Sequence, residues 1–566
     1  MKSLEAGLDE PSVKSWAELE SRFEALLKRE ITSGADLYQW MKDRSTLDAQ
    51  LQEDLGWRYI RQTCDTNNEA KRESLNFFIR EIEPHLASYS DKLNRKLLHD
   101  PFLNDLPPIQ GLSVYLRGLR KEVALFREEN IPLLTEIQTL SNTYGQISGE
   151  MTVIVDDKEL TFQQAALELK SANRARREEV YLKINRRRLA DKEKLEGLFE
   201  ELFQLRHAVA KNAGYENFRD YMFDALGRFD YSPQACFDFH DSVEKHIVPL
   251  IEAFEQERKL KLGYEELKPW DLDVDPDLLP PLKPYQGQPD LIAKTEQVFE
   301  RLNPEFGKVI RTMDAKGHFD LDSRIGKAPG GYNYPLYESG LPFIFMNSAG
   351  SLRDMITMMH EGGHAIHSWL SNPLELTGFK HTPSEIAEVA SMAMELISMD
   401  HWDMFFPDPE ELKRAKRYQL EKILSILPWI ATIDVFQHWV YTHPEHSAEE
   451  RKAAWISTFR RFSGKVVNRD GLSEFEPYGW HRQLHIFEVP FYYIEYGIAQ
   501  LAAIGIWKNY RENPNNALTA YAKSLKAGYT FTLPELYEMA GIAFDFSPHY
   551  IQNLAAFVQE ELKKLD

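Results

Sequence analysis

The sequence predicts a mainly α-helical protein with at least two lobes and a small β-sheet in its second half. Apolar residues recur with helical spacing through most of the chain, and strand-like runs are confined to residues 151–162 and 319–346. At 566 residues the chain exceeds the size at which one hydrophobic core stops growing. We therefore expect an N-terminal helical lobe, residues 1–205, and a second lobe, residues 206–566.

The composition narrows the possible partners and the compartment. A hydrophobic fraction of 43% argues against disorder, and the chain has no run of about 18 apolar residues that could span a membrane. A net charge of −21 repels phosphate groups, so neither nucleic acid nor a membrane surface is an expected partner. The first ten residues lack an apolar signal segment and the chain has two cysteines, Cys64 and Cys236, so we expect a cytoplasmic protein.

The N-terminal third reads as successive amphipathic helices from about Ser15 to Ile147. Residues 151–162, MTVIVDDKELTF, then place two β-rich runs around an acidic turn, which predicts a small hairpin. Helices resume as far as Arg228, and the strand-like runs of residues 319–346 follow later. Because these runs end just before the most informative motif of the chain, a small sheet is expected beside it.

That motif is HEGGH, whose histidines are His360 and His364 and whose acid is Glu361. Ser351 and Asp354 form a capping-box pattern that places the motif on a helix. On a helix the two histidines lie about 40° apart around the axis, so both can bind one ion. Glu361 is turned about 100° away, toward a bound water. Two histidines and a glutamate at this spacing are typical of a zinc hydrolase.

A third metal ligand is expected on the next helix. The Gly and third His that metzincins use are missing, so that class is excluded and His367 is predicted to pack or to line a pocket. Thr382 and Glu385 show a capping-box pattern, and if Glu385 reaches back to Thr382, Glu388 is free to bind the metal. Glu395 lies about 20° from Glu388 around the helix and is predicted to orient a zinc-bound histidine. Three protein ligands leave a position for water, as in catalytic zinc sites.

Residues 485–496, HIFEVPFYYIEY, offer hydrogen-bond donors for the reaction. Water attack on a peptide carbonyl creates an oxyanion, and His485 can donate a hydrogen bond to it. Tyr493 and Tyr496, three residues apart, lie on one face of a helix and can do the same. From the residues alone, a packed aromatic cluster is the alternative.

A short apolar strand is predicted at residues 340–347, with Pro342 near its start, which favours a sheet edge. An exposed edge can accept an extended peptide as an added strand. The alternative is an ordinary strand of a small sheet. The residues predicted to contact substrate are Phe343, Ile344, Phe345 and Tyr492.

With these motifs the chain resembles the thimet oligopeptidase and oligoendopeptidase F family of zinc metallopeptidases, and it is most similar to the oligoendopeptidase F arm. The similarity rests on residues 360–367, HEGGHAIH, and on AEVAS at residues 387–391 with Glu395 beyond. Residues 324–370 and 528–562 also follow the layout of the family.

The resemblance implies two helical lobes that enclose a deep substrate channel and one zinc ion per chain. The thimet arm has a Gly-rich loop where this chain has FEVPF, so the choice between Tyr492 and Tyr493 as the partner of His485 stays open. The resemblance assigns zinc binding to His360, His364 and Glu388, the general base to Glu361, and transition-state stabilisation to His485, Tyr493 and Tyr496.

We therefore expect a zinc-dependent oligopeptidase that hydrolyses internal bonds of short, unfolded peptides, with Glu361 activating the attacking water. A helical zinc carboxypeptidase or dipeptidyl carboxypeptidase uses the same motif and is the first alternative. A metal-binding scaffold without activity is the second. The sequence decides neither the side-chain specificity nor whether the protein is a monomer or a homo-oligomer.

Overall fold

The structure is a computed structural model that describes residues 12–324, 326–328 and 330–565. The first ten residues, on which the expectation of no signal segment rests, lie outside the described residues. The N-terminal part contains α1 (Trp16–Lys28), α2 (Gly34–Cys64), α3 (Glu69–Phe77), α4 (Glu83–Leu98) and α5 (Leu112–Leu125), with a π-turn at Phe78–Ile82 and a 3-10 turn at Leu103–Asp105. Apolar side chains of α1 to α5, with Leu376 and Phe379, form a core of their own.

A two-stranded hairpin interrupts the next group of helices. The group contains α6 (Asn130–Gly149), β1 (Thr152–Val155), β2 (Lys158–Thr161), α7 (Phe162–Glu168), α8 (Arg174–Ala190) and α9 (Lys192–Asn212). The hairpin predicted at residues 151–162 is confirmed, since β1 and β2 pair antiparallel. Asp156 and Asp157 between them have φ of +50° and +59°, as the two central residues of a type I′ turn require.

Five helices lead to a second sheet. They are α10 (Phe218–Ala225), α11 (Pro233–His246), α12 (Val248–Leu262), α13 (Gly287–Leu302) and α14 (Pro304–Lys316), with a 3-10 turn at Pro269–Asp271. The sheet contains β3 (Phe319–Asp322), β4 (Tyr332–Tyr334) and β5 (Phe343–Ser348) in the order β3-β5-β4. β5 runs parallel to β3 and antiparallel to β4. The small sheet expected just before the HEGGH motif is therefore confirmed.

The prediction that the strand with Phe343, Ile344 and Phe345 lies at a sheet edge was wrong. β5 is the central strand, paired on both sides, and these three side chains are fully buried. Pro342 precedes the first residue of β5, so its missing N–H interrupts no hydrogen bond of the ladder. A proline at this position is therefore compatible with a central strand, and the three side chains do not form a surface for substrate.

Ten further helices follow the second sheet in the described part of the chain. They are α15 (Leu352–Ser371), α16 (Thr377–Lys380), α17 (Ser384–Ile397), α18 (Pro409–Thr442), α19 (Ala448–Phe462), α20 (Leu484–Glu488), α21 (Ile494–Glu512), α22 (Pro514–Lys526), α23 (Leu533–Met539) and α24 (Pro548–Lys563). 3-10 turns lie at Ser398–Met404 and Glu476–Arg482. One large core joins these helices, apart from α16, to α6 and to α9 through α14.

The division of the chain into two domains at residues 205 and 206 stays a prediction. That boundary falls inside α9, and Leu202 and Val209, on either side of it, both belong to the large core. Along the chain, the change from the first core to the large core falls between α5 and α6. Leu376 and Phe379 are exceptions, because they lie late in the sequence and pack in the first core.

The 34-residue helix α18 runs through the large core. Within the described part of the chain it is the one helix that is long and apolar enough to cross a membrane by length and composition. Of its most apolar 18-residue segment, 72% is buried inside the fold, as in the core helix of a globular protein. Three side chains of α18, those of Gln419, Trp429 and Gln437, donate or accept hydrogen bonds at the candidate site.

Candidate metal centre and active site

α15 begins as predicted and carries both histidines of the motif. Ser351 accepts a hydrogen bond from the Asp354 N–H, and the Asp354 carboxylate accepts one from the Ser351 N–H, so the capping box is confirmed. The rings of His360 and His364 lie with their centroids 4.9 Å apart. His367 is buried, and burial lowers its pKa to about 3, so the prediction of a packed histidine holds.

Two glycines let α15 approach its neighbours closely. A Cβ on Gly363 would lie 2.6 Å from the carbonyl oxygen of Ala390 and 2.7 Å from Cα of Ser391. A Cβ on Gly362 would lie 2.6 Å from the ring of Phe299. α15 and α17 therefore pack backbone against backbone at the turn that carries the histidines, and this contact sets the distance to the third ligand.

Glu388 on α17 reaches the same point as the two histidines. Its Oε2 lies 3.3 Å from His360 Nε2 and 3.6 Å from His364 Nε2, and the three ligand atoms all lie within 4.8 Å of one another. Two atoms that are each about 2.0–2.1 Å from one tetrahedral zinc ion lie about 3.3 Å apart. Two imidazoles and a carboxylate at these separations therefore fit a zinc ion and leave a fourth position for water.

Hydrogen bonds orient the metal-ligating side chains. Glu395 Oε1 accepts a hydrogen bond from His360 Nδ1 at 2.7 Å, and its Oε2 accepts one from Gln419 Nε2 at 2.7 Å. Because the proton of His360 is on Nδ1, the lone pair of Nε2 is free for a metal. Tyr492 donates its hydroxyl to Glu388 Oε1 at 3.0 Å, and Ser391 Oγ lies 3.1 Å from Oε2, so both oxygens of this carboxylate are held beside the two histidines.

Glu361 is buried beside these ligands, under the edge strand β4. Its side chain accepts a hydrogen bond from the backbone N–H of Asn333, and a Cβ on Gly331 would lie 3.7 Å from its Oε1. Burial raises the pKa of the Glu361 carboxyl to about 7. A carboxyl with a pKa near neutrality can take a proton from water and return it, which is the task of a general base.

Gln483 and Trp429 hold His485 in one tautomer. Trp429 Nε1 donates to Gln483 Oε1 at 2.8 Å, and Gln483 Nε2 lies 2.7 Å from His485 Nδ1. An indole N–H can only donate, so the amide nitrogen of Gln483 donates to Nδ1. Burial lowers the pKa of His485 to about 4, so the ring is neutral and its single proton is on Nε2. His485 is therefore a neutral donor, as stabilisation of an oxyanion requires.

Three tyrosines surround His485. The ring centroids of Tyr493, Tyr496 and Tyr492 lie 4.8, 5.7 and 5.9 Å from the centroid of His485. Tyr492 donates to the carboxylate of Glu388, whereas Tyr493 lies beside Gln483 and Trp429. Burial raises the pKa of Tyr493 to about 12, so its hydroxyl stays protonated. The structure thus brings together the four residues predicted at residues 485–496 and places Tyr492 on the metal side.

The turn between His485 and these tyrosines is held from both sides. Phe491 has φ of +69°, and its ring is fully buried. Its N–H donates to Gln437 Oε1 at 2.8 Å, and its carbonyl oxygen accepts a hydrogen bond from the Arg228 guanidinium. A left-handed conformation costs a non-glycine residue about 1–3 kcal/mol. The burial and the two hydrogen bonds offset this strain and fix the turn.

The predicted capping box between Thr382 and Glu385 was wrong. α17 begins at Ser384 without a side-chain cap. Glu385 is buried and accepts the hydroxyl of Tyr231 at 2.5 Å, and Arg228 Nε lies 3.9 Å away. The Arg228 guanidinium, which pairs with Glu495 at 2.8 Å, supplies the positive charge that a buried carboxylate needs nearby. Glu385 therefore lies behind the metal cluster and not in it.

The supporting residues were missed in the sequence. Gln419, Trp429 and Gln437 all lie on α18 and contact the site by their side chains. The only local sign is a polar residue on the buried face of an apolar helix, which is a weak one. Arg228 and Gln483 give no local sign, since their partners lie elsewhere in the sequence.

Comparisons with known proteins agree with this geometry. A family model described as Peptidase family M3 matches residues 167–556, which is more than half of the chain, and one described as Peptidase M3 N-terminal domain matches residues 12–112. An oligoendopeptidase F homolog of Borreliella burgdorferi is 24% identical over 460 residues, which are 79% of this chain and 75% of the relative. Group B oligopeptidase PepB of Streptococcus agalactiae is 21% identical over 526 residues, 87% of this chain and 81% of the relative.

Solved structures confirm the mainly helical fold class. PZ peptidase A with inhibitor 2 superposes with a TM-score of 0.92 at 27% identity, over 99% of this chain and 100% of that one. The oligoendopeptidase-F of Enterococcus faecium superposes with a TM-score of 0.65 at 15% identity, over 97% of each chain. The second likeness concerns the fold alone.

Proposed function

This chain belongs to peptidase family M3 and is a metalloendopeptidase, and we propose how its residues divide the cleavage of short, unfolded peptides. The observation that carries the proposal is the convergence of His360, His364 and Glu388 within 4.8 Å, with Glu361 buried beside them. The relatives named oligoendopeptidase F and oligopeptidase support peptides of limited length as the substrates.

One Zn²⁺ ion is the proposed cofactor, and His360, His364 and Glu388 would hold it. When bound, zinc supplies Lewis-acid chemistry, which lowers the pKa of a water ligand and polarises the scissile carbonyl. Glu395 keeps His360 in the tautomer that presents Nε2, because it accepts the Nδ1 proton at 2.7 Å.

The proton transfers belong to Glu361. This carboxylate takes a proton from the attacking water as the water oxygen bonds to the scissile carbon. It then gives the proton to the leaving nitrogen as the C–N bond breaks. His485 donates from Nε2, with Tyr493 and Tyr496 beside it, to the carbonyl oxygen that becomes negative.

The substrate backbone is proposed to lie along β4 and not along β5. β4 is an edge strand whose residues are half-buried, and its Asn333 contacts Glu361. An extended peptide added to this edge brings a backbone carbonyl toward the buried base. Only an unfolded segment can add as a strand, which supports short peptides as substrates. A cytoplasmic location is also proposed, supported by the free, buried state of Cys64 and Cys236.

The first test is Glu361→Gln, which removes the base and keeps the shape. We expect zinc content by elemental analysis to stay at the wild-type level and kcat to fall about 10²- to 10⁴-fold. The matched control is Glu474→Gln, which changes an exposed glutamate and should keep full activity. A Glu361→Gln protein that turns over at the wild-type rate would exclude Glu361 as the base.

The second test maps the products. A peptide of about ten residues with an amidated C-terminus is incubated with the enzyme, and its fragments are identified by mass spectrometry. Cuts at internal bonds are expected, because an edge strand binds backbone on both sides of the scissile bond. An uncut amidated peptide, together with stepwise loss from the free acid, would instead indicate a carboxypeptidase or dipeptidyl carboxypeptidase.

A further inference from the structure

A second cluster of metal-ligating side chains lies between α11 and α18, outside the active site. Cys236 and His240 are four residues apart on α11, and Asp434 and His438 are four residues apart on α18. Each pair therefore shares one face of its helix, as the histidines of HEGGH do. Cys236 Sγ, a carboxylate oxygen of Asp434 and a ring nitrogen of His438 lie within 4.8 Å of one another. His240 Nε2 lies 2.8 Å from Asp434 Oδ2.

These side chains are buried and some of their polar atoms lack partners. Asp434, His240, Cys236 and His438 are 0, 1, 2 and 4% exposed. Within the described part of the chain, His438 Nδ1 and Asp434 Oδ1 have no hydrogen-bond partner, and the contact of His438 Nε2 with Asp434 Oδ2 at 3.2 Å is an ion-pair contact without hydrogen-bond geometry. An unsatisfied buried polar group costs about 1–3 kcal/mol, so native cores contain few of them. Several at one point, on residues that all bind transition metals, indicate a ligand-binding site.

The charges at this point also fit a cation. The ion-pair partners of the Asp434 carboxylate are His240 at 2.8 Å and His438 at 3.2 Å. A buried carboxylate is strongly unfavourable unless a cation neutralises it. Burial raises the pKa of the Cys236 thiol, so the sulfur stays protonated until a metal displaces the proton. A divalent ion with one thiolate, one carboxylate and one neutral imidazole has no net charge.

We propose that Cys236, Asp434 and His438 bind a second divalent ion of the zinc class and thereby join α11 to α18. His240 lies outside this group of three and holds the Asp434 carboxylate through its 2.8 Å contact, as residues around metal ligands commonly do. The ion connects two packed helices, so its role is structural. A thiolate with an imidazole selects zinc-like ions over magnesium or calcium. On binding, Cys236 releases its thiol proton to the solvent. This ion is additional to the zinc proposed for the active centre.

The ion has a route to this site and a reason to affect the enzyme. A cavity of about 320 Å³ opens beside the cluster, and its lining includes His240 and His438 together with the charged residues Asp241, Arg219 and Arg461. The ring of His438 lies 5.4 Å from the ring of Phe491, between centroids. The ion therefore lies behind the turn that carries the oxyanion donors, and its binding stabilises the packing of that turn.

Cobalt spectroscopy separates the two sites, because a thiolate ligand gives Co²⁺ a charge-transfer band in the near ultraviolet. The active centre has no cysteine, so only the second site can produce this band. We expect apo-protein titrated with Co²⁺ to develop the band, Cys236→Ser to lose it and Cys64→Ser to keep it. Since the chain has two cysteines, the band in Cys64→Ser assigns it to Cys236 even if Cys236→Ser does not fold. A wild-type protein saturated with Co²⁺ that shows no band would overturn the proposal.

Zinc stoichiometry gives an independent readout that does not depend on activity. In a His360→Ala, His364→Ala protein the active centre is removed, and we expect about one Zn²⁺ per chain to remain after gel filtration. That Zn²⁺ should also raise the thermal midpoint, because it binds the folded state alone. Adding Asp434→Asn should abolish both effects. A protein without the active-centre histidines that retains no zinc would exclude the second site and leave the proposed peptidase mechanism untouched.

Discussion

Gln483 decides which nitrogen of His485 carries the proton. Trp429 fixes the amide orientation, and the amide then donates to His485 Nδ1 at 2.7 Å. Only the tautomer with the proton on Nε2 can donate to an oxyanion from that nitrogen. In the proposed mechanism, Gln483 is therefore a positioning residue that acts on catalysis through His485.

Gln483→Glu reverses this arrangement with almost no change in shape. The carboxylate accepts a hydrogen bond from Nδ1, so the neutral ring loses its Nε2 proton. We expect kcat to fall about 10²-fold with KM nearly unchanged, as for loss of one oxyanion donor. The new carboxylate also raises the pKa of His485 from about 4, so activity relative to wild type should recover at low pH, where the ring donates from both nitrogens. Steady-state kinetics over a range of pH measure this.

Gln483→Leu provides the comparison, since it removes the amide and adds no charge. Its loss of activity should show no recovery at low pH. Equal pH profiles for the Glu and Leu variants would contradict control by the tautomer.

Glu255 on α12 lowers stability at neutral pH. It is 9% exposed, its Oε2 has no partner among the described residues, and burial raises its pKa from 4.5 to about 7. The pKa of Glu255 is about 7 in the folded protein and about 4.5 in the unfolded chain. Between these pH values the unfolded chain gives up this proton more readily than the folded protein does, so the free energy of unfolding falls as the pH rises. Glu255→Gln removes that loss of stability. We expect a gain of up to about 3 kcal/mol in the free energy of unfolding at pH 8 and none at pH 4.

Denaturant unfolding at both pH values measures this difference. Glu257→Gln on the same helix is exposed and should change stability little at either pH. A Glu255→Gln gain of the same size at pH 4 and pH 8 would refute the ionisation argument.

For some residues, the local sequence pattern is sufficient to predict their place in the candidate site. His360, Glu361 and His364 lie within one helical turn and a half, so the helix itself brings them together, and their placement follows from spacing. Gln419 and Gln437 contact Glu395 and Phe491, which are distant in sequence. No periodicity encodes such pairs, because they form only when α18 packs in the core.

At the level of secondary structure, the contact between α15 and α17 determines the metal cluster. α15 carries the two histidines and α17 carries Glu388, and Gly363 lets their backbones touch. Any atom inserted at this contact separates the ligands by several tenths of an ångström. Metal affinity and the packing of two helices are therefore coupled here.

Gly363→Ala tests this coupling. Its Cβ would meet backbone atoms of α17 at 2.6–2.7 Å, so the helices must move apart. We expect zinc affinity, measured by competition with a chelator, to fall about 10-fold or more. Gly197→Ala on α9 is the matched control, since nothing lies within 4 Å of its Cβ and alanine favours a helix. Unchanged affinity in Gly363→Ala would show that the contact does not set the ligand geometry.

The two sheets show how far strand prediction extends. The hairpin of β1 and β2 is local, and the acidic turn between its runs already indicated the pairing. The order β3-β5-β4 depends on which strand lies between the other two, and the composition of β5 does not contain that information. An apolar run with a proline before it suits an edge and a centre equally well.

For the whole molecule, the net charge of −21 creates a long-range field that a substrate meets before binding. We expect this field to favour cationic peptides through their rate of association. Two peptides with the same residues around the cleaved bond and opposite charges at their far ends isolate this effect. Raising the ionic strength from about 10 mM to about 0.5 M should lower kcat/KM several-fold for the cationic peptide and not for the anionic one. Equal salt effects on both would exclude steering by net charge.

The overall architecture was predictable because helical periodicity repeats along almost the whole chain. The mainly α-helical fold and the peptidase family followed from those patterns and from the motif around His360. The assembly of the site was less predictable. The segment from His485 to Tyr496 reaches the metal helices through Tyr492 and Glu388, a contact across 104 residues that only the folded chain reveals.

Helix α18 fixes the distances between three parts of this site. α18 contacts the metal side through Gln419, the oxyanion donor through Trp429 and the turn at Phe491 through Gln437. The 18 residue steps from Gln419 to Gln437 span about 27 Å along the helix axis, and each step turns the helix by about 100°. Substitutions on its outer face would leave these intervals intact. Insertion or deletion of one residue between positions 419 and 437 would rotate one set of contacts away from the other. Over evolution this segment should therefore tolerate substitutions far more readily than insertions or deletions.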